Sequence, residues 1–145
     1  MKPIRFRAWD KIRKKMGKVV AMDWDHYDNV VTAHIKYYDG TVMKVYPEDT
    51  YGDQIVFMQD TGLRDKNDKR IHAWDVLEIT GNHKPGKYTV VWDKYRVAWW
   101  GKNIKCDKRE RQHDDDYYQL LGSWQDEITE VIGNIYENPE LLEVE

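Results

Sequence analysis

One cysteine, one serine and two phenylalanines in 145 residues set the first limits on this chain. A single thiol, Cys106, allows no internal disulfide and argues for a reducing compartment. Lys102, Lys105, Lys108 and Arg109 around it would favour a thiolate. With no paired cysteine motif, an incidental surface thiol is the plainer reading. The lone serine, Ser123, stands beside Trp124 in no recognisable nucleophile elbow. No run nears the ~18 apolar residues of a membrane helix, and no apolar signal segment opens the chain. The expectation is a soluble, cytoplasmic protein. Glycine-rich phosphate loops of the P-loop or dinucleotide type are also lacking.

Metal-ligand residue types cluster only at His113-Asp114-Asp115-Asp116, with His83 as a further candidate. Consecutive loop residues rarely all reach one ion, and the spacing is neither that of an EF-hand nor that of a zinc site. A solvated acidic run is the better account. The chain therefore gives no reason to expect catalysis, a metal or a cofactor.

What is abundant is charge and amphipathic aromatic surface. Charged residues make up 34% of the chain, yet 41% is apolar, with seven Trp and ten Tyr, which favours a folded domain over disorder. Trp and Tyr carry polar groups that need a partner or water, so they suit a thin core or a binding face. The net charge of -3 hides a strong asymmetry. Met1 to Val20 carries eight basic side chains against the single acid Asp10, and Gln112 to Glu145 carries ten acids with no Lys or Arg. Ends of opposite sign suggest that they meet, within one molecule or between copies. A basic surface for nucleic acid with an acidic tail is a second reading, and two separately solvated regions a third.

Period-2 alternation dominates the chain. Ile4 to Trp9 reads as a half-buried strand with Ile4, Phe6 and Ala8 inward and Arg5, Arg7 and Trp9 outward. Asp10 to Lys15 reads as a basic hairpin connection, and Met16 to Met22 as the returning strand. Lys and Arg there also guard against edge-to-edge pairing. Asn29–Tyr38 and Thr41–Tyr46 flank Asp39-Gly40, a two-residue type I′ signal that sets Tyr37 opposite Val42, Ile35 opposite Lys44 and Ala33 opposite Tyr46. Further strands are read at 54–59, 76–80, 87–92, 97–100, 117–121 and 130–135. Ser123 looks like a helix cap, and Pro139 opens a turn or short helix. Nine or ten short strands with turns every 8–12 residues predict a mostly β single domain over 1–145. Its antiparallel strands would form a partly open barrel or sandwich with short helical turns.

Three blocks carry a resemblance. They are Arg7-Ala8-Trp9-Asp10-Lys11 with Lys15-Met16, then Met58 to Asn67 running on to Ile71 and Asp75-Val76, and finally Glu130 to Leu142. In this order they resemble the YopX family of small proteins encoded by bacteriophages and prophages. The resemblance implies a mostly β, partly barrel-like domain and a phage or prophage origin, and it carries no catalytic residues to map. The family usually reads Asn-Gly where this chain has Asn67-Asp68, and Gly-Asp where it has Trp74-Asp75. Asp tolerates positive φ, but Trp does so poorly. Trp74 is thus expected either in ordinary β geometry or on a locally different path, and in the core more than at a contact.

The candidate binding residues are Arg5, Arg7, Trp9, Lys11, Arg13, Lys14 and Lys15 around the basic hairpin, with Trp74, Trp99 and Trp100. The leading expectation is a protein-interaction module that self-associates to a homo-oligomer, with a phage or host protein as a further partner. The alternative is a nucleic-acid-binding accessory protein. No membrane partner is expected.

Overall fold

The computed structural model describes residues 4–46, 54–80, 85–94, 97–105, 118–121 and 128–143. Eleven strands are described: β1 (Phe6–Asp10), β2 (Lys15–Trp24), β3 (Val30–Tyr37), β4 (Val42–Val45), β5 (Ile55–Arg64), β6 (Arg70–His72), β7 (Asp75–Ile79), β8 (Gly86–Asp93), β9 (Ala98–Asn103), β10 (Tyr118–Leu120) and β11 (Thr129–Asn134). A 3-10 helix follows at Pro139–Leu142, where proline cannot continue a ladder. The protein is mostly β, with antiparallel sheets and no closed barrel among the described residues. Cys106, His83, the His113–Asp116 run and the Ser123–Glu127 segment lie outside them.

The chain divides into two compact units, Met1–Gln59 and Asp60–Glu145. In the first, the strand order is β4-β3-β2-β1-β5. Its core gathers Ala8, Ile35 and Tyr37, with Val19, Met43, Val45, Ile55 and Phe57 packed around them. These residues come from five strands and fall on one face, as period 2 requires. In the second unit the far half of β5 pairs with β6, and a sheet runs β10-β9-β8-β7-β11. Ile71, Leu77, Val90, Leu121 and Val131 form its core, with Leu63 and Trp99 partly buried against them.

Three sequence expectations change. Ile4 is 74% exposed while Trp9 is buried, because β1 is bonded on both edges and Trp9 sits between Met16 and Val56. Both faces of β1 are covered at that end: Ala8, Trp9 and Asp10 are consecutive and all buried. The β3–β4 register is Ala33↔Val45, Ile35↔Met43 and Lys36↔Val42, one residue from the expected pairing. Tyr38 joins the loop, which Tyr37 N–H closes onto Thr41 O at 2.9 Å, and only Gly40 adopts positive φ, 85°. Lys44 thereby pairs with His34 and leaves the apolar face. β6 is a short strand between the expected strands at 54–59 and 76–80, where none was expected.

Trp74 occupies neither ordinary β geometry nor the core. It is left-handed, φ 66°, and 38% exposed. Its N–H donates to Val90 O at 2.9 Å and its carbonyl accepts from Ile135 N–H at 3.1 Å. The backbone is thus held on both sides while the side chain bears a conformation costing about 1–2 kcal/mol for an L residue. Trp74→Gly is expected to raise the thermal midpoint by a few degrees, and Trp74→Ala to leave it unchanged or lower. A fall with glycine equal to that with alanine would show that the aromatic contacts outweigh the strain.

Candidate interaction site

The basic hairpin is built on one buried acid. Asp10 Oδ1 accepts from Ile12 N–H at 3.0 Å and Arg13 N–H at 2.9 Å. Its Oδ2 accepts from the Arg13 guanidinium at 2.9 Å and from the Tyr37 hydroxyl at 2.8 Å. Four donors use the accepting capacity of a carboxylate, so Asp10 serves as a clamp rather than a base. Burial pushes its carboxyl up, but the Arg13 and Ile12 donors with the Tyr37 hydroxyl outweigh burial and hold it below the ordinary carboxylate value. Burial, together with the bond to Asp10, pushes the Tyr37 hydroxyl up to about 12. Lys11 N–H donates to Gln54 O at 2.8 Å, which anchors the turn against the segment preceding β5.

That clamp fixes the backbone of the turn and leaves its cations outside. Lys11, Arg13, Lys14 and Lys15 are all exposed. Arg13 pairs with Asp10, and Lys15 reaches Asp39 at 3.6 Å. Lys11 and Lys14 pair with no carboxylate among the described residues. Arg5 is exposed and Arg7 half-buried, at the other end of β1. Trp9 is withdrawn from any stacking role by its burial. The candidate tryptophans Trp74, Trp99 and Trp100 belong to the second unit. There Trp99 meets the exposed Trp92 edge-on at 5.1 Å, and Trp100, one residue on, is half-buried.

One feature escaped the sequence reading and another, the acidic end, was seen there only as charge. The first is a shallow open groove of about 330 Å³ where β1 begins, lined by Ile4, Val20, Met22 and Trp24 with Arg5 and Lys18. Its signal was the continuation of apolar residues through Trp24, past the expected end of the strand. The second is the acidic, exposed end of the chain: Glu137, Glu140, Leu142 and Glu143 all face solvent. Glu140 and Glu143 pair with no cation among the described residues. No three His, Cys, Asp or Glu side chains gather as a metal cluster among those residues. No described helix is long and apolar enough to cross a membrane.

The YopX protein family matches residues 5–143. The chain belongs to the YopX family. This YopX-family chain is similar to protein EF1440 from Enterococcus faecalis, at 29% identity over 99% of this chain and 100% of that one, with a TM-score of 0.59. It is also similar in fold to yopX from Bacillus subtilis, at 20% identity over 96% and 98% of the two chains, with a TM-score of 0.62. No curated protein matches it. The matched span takes in all three sequence blocks, and Asp10, Asp60 and Asp65 of the first two prove to be turn clamps.

The same chemistry recurs at Asp60 and Asp65. Asp60 accepts from Gly62 N–H and from the Arg70 guanidinium, both at 2.8 Å. Burial raises both carboxyls, but backbone and guanidinium donors at Asp60, and three backbone donors at Asp65, bring each below its ordinary value of 3.8. A depressed folded value means the unfolded chain binds more protons as pH falls. The stability from Asp10, Asp60 and Asp65 is therefore complete above the ordinary value and lost as pH drops through the folded ones. Thermal midpoints are expected to fall steeply below about pH 4, and Asp60→Asn to show a shallower fall. Equal slopes in the two proteins would contradict this assignment.

Proposed function

We propose that this chain is a small phage- or prophage-encoded accessory protein of the host cytoplasm that works by binding rather than catalysis. It associates with copies of itself, the basic β1–β2 hairpin of one meeting the acidic C-terminal region of another. The observation carrying this reading is the clamped turn, which holds Lys11 and Lys14 exposed and unpaired at little entropic cost. Glu137, Glu140 and Glu143 stand equally exposed at the other end of the sequence. Opposite exposed charges steer encounter and favour head-to-tail contact.

The test reverses Lys11 and Lys14 to Glu, sparing Arg13 because it braces Asp10. Equilibrium sedimentation at low salt should show the wild type heavier than its 17.5 kDa chain mass and the variant at least tenfold weaker in association. An unchanged association constant removes the hairpin from the interface. Salt-sensitive retention on DNA or RNA, lost in the same variant, would favour a nucleic-acid partner instead.

A further inference from the structure

The sheet of the first unit has a second face, turned away from its core. Ala8, Val19, Ile35, Tyr37 and Met43 mark the core side. The residues between them therefore share the opposite side. There the registers set Arg7 opposite Lys18, Lys18 opposite Lys36, and Lys36 opposite Val42. One step along, Ala21 stands opposite His34, and His34 opposite Lys44. Lys18, Lys36 and Lys44 are exposed, while Arg7 is half-buried. None of these lysines pairs with a carboxylate among the described residues. The acid that β2 brings to this side, Asp23, accepts from the Thr32 hydroxyl at 2.7 Å.

The ordinary reasons for lysine in a sheet do not cover this arrangement. Lysine often guards an edge, but β2 is bonded to both β1 and β3 at Lys18, and β3 to both β2 and β4 at Lys36. Neither position lies at an edge. Solubility is served by charges of mixed sign, whereas like charges directly opposite one another destabilise a sheet. Adjacent strands lie about 4.8 Å apart, so Lys18 and Lys36 repel across a single ladder step. Lys44 stands diagonal to Lys36. An anion shared between neighbouring ammonium groups turns that repulsion into attraction.

We propose that this face binds the phosphate backbone of a single-stranded nucleic acid, which runs across β2, β3 and β4 with a base stacked on Tyr46. The inference goes beyond self-association and uses none of the residues assigned to it. Charge complementarity selects a polyanion, and the side chains select its kind. The planar fork of arginine suits a carboxylate, whereas lysine offers a compact charge that meets phosphate without fixed geometry. The exposed cations set by these registers are all lysines. Tyr46, two residues past Lys44, continues the same side of β4 and is 51% exposed. The Lys44 ammonium lies 5.5 Å from its ring centroid. An open ring beside a row of cations holds unpaired bases without reading their sequence. A duplex keeps its bases stacked inside and leaves such a ring unused.

Fluorescence anisotropy of the full chain with a labelled oligothymidylate, at low salt and upward, tests this. The wild type is expected to bind, with log affinity falling against log salt at a slope of about −2, since each neutralised phosphate of a single strand contributes about −0.7. Lys36→Gln should lower the affinity and flatten that slope by about 0.7. Its thermal midpoint should be no lower than that of wild type, because an opposed charge is gone. Tyr46→Ala should weaken binding about fivefold or more and leave the slope unchanged. Lys18→Glu, Lys36→Glu and Lys44→Glu together should abolish binding in a chain whose circular dichroism is that of wild type. A wild type that does not bind overturns the proposal, and so does equal affinity and slope in Lys36→Gln. Tighter binding of the matching duplex with oligoadenylate overturns the single-strand assignment. Binding lost only with Lys11→Glu and Lys14→Glu puts the nucleic acid on the hairpin and overturns it as well. If the wild type ignores the oligonucleotide but reversal of the face weakens self-association, an acidic surface of a second copy is the occupant. The proposal then falls while the self-association reading stands.

Discussion

Asp65→Ala is expected to lower the thermal midpoint by on the order of 10–20 °C. The carboxylate of Asp65 is buried, and its Oδ1 accepts from Asn67 N–H and Lys69 N–H, each at 2.9 Å. Its Oδ2 accepts from Val131 N–H at 2.9 Å, a contact between positions 66 residues apart. Bonds to a charged acceptor contribute about 1.5–3 kcal/mol each, and the buried Val131 N–H has no water to replace a lost partner. The three donors act as a unit, so a total of about 3–5 kcal/mol is the reasonable scale. Asp65→Asn sharpens the case. An amide oxygen can keep the two turn donors, but its NH₂ then faces the Val131 N–H donor against donor. Asparagine should therefore rescue only part of the loss. A midpoint within ~2 °C of wild type for the alanine variant would contradict the clamp; on this scale such a shift is under about 1 kcal/mol.

Gly17 supports the second large effect, by a different mechanism. It lies in β2 opposite Ala8 on one side and Tyr37 on the other. A Cβ there would run into Ile35 Cγ2, and would stand 3.0 Å from the Lys36 carbonyl oxygen and 3.2 Å from Tyr37 Cδ1. Ile35 is fully buried, so its methyl has nowhere to retreat. Gly17→Ala is expected to cost about 1–3 kcal/mol, and Gly17→Val more, as overpacking does in close-packed interiors. The denaturant midpoint should fall with the slope unchanged. Gly40 supplies the contrast: its surroundings are open but its φ is 85°. Gly40→Ala should cost only about 1 kcal/mol, all of it backbone strain. If alanine is tolerated at both positions alike, the crowding at Gly17 is not as drawn.

Much of this architecture could be read from alternation alone, since period 2 in β3 and β8 places Ala33, Ile35, Tyr37, Tyr88 and Val90 inside. What alternation could not show is which strands are covered on both faces. Trp9 was read as outward because it follows an inward Ala8, and only the pairing of β1 with both β2 and β5 reveals the second covered face. Loop type was equally hidden. Asp39-Gly40 signals a hairpin, but a three-residue loop with Gly40 alone left-handed competes with the two-residue type and shifts the register by one.

The turn acids stand in plain view in the sequence, but alternation does not mark which of them clamp a turn. Asp25 and Asp65 each accept from the N–H groups two and four residues on, and each turn is closed by a backbone bond of 2.9 Å to the fourth residue. Asp28 and Asp68 then take left-handed φ of 64° and 63°. This is side-chain mimicry of a backbone turn, the reason Asp concentrates in such loops. At Asn67-Asp68 the expectation that Asp would tolerate positive φ holds, whereas Trp74 shows that a poor residue is held there by its neighbours' hydrogen bonds. The candidate site was legible only as charge. Lys11 and Lys14 follow from composition, but the groove beside Arg5 and Lys18 arises from where β1 stops pairing, which no local pattern encodes.

Native mass as a function of salt tests the binding account most directly. Sedimentation velocity of the full chain at high concentration should show assembly at about 20 mM salt and a shift toward monomer at about 500 mM, where screening shortens to a few ångströms. A monomer at every concentration and salt would contradict it.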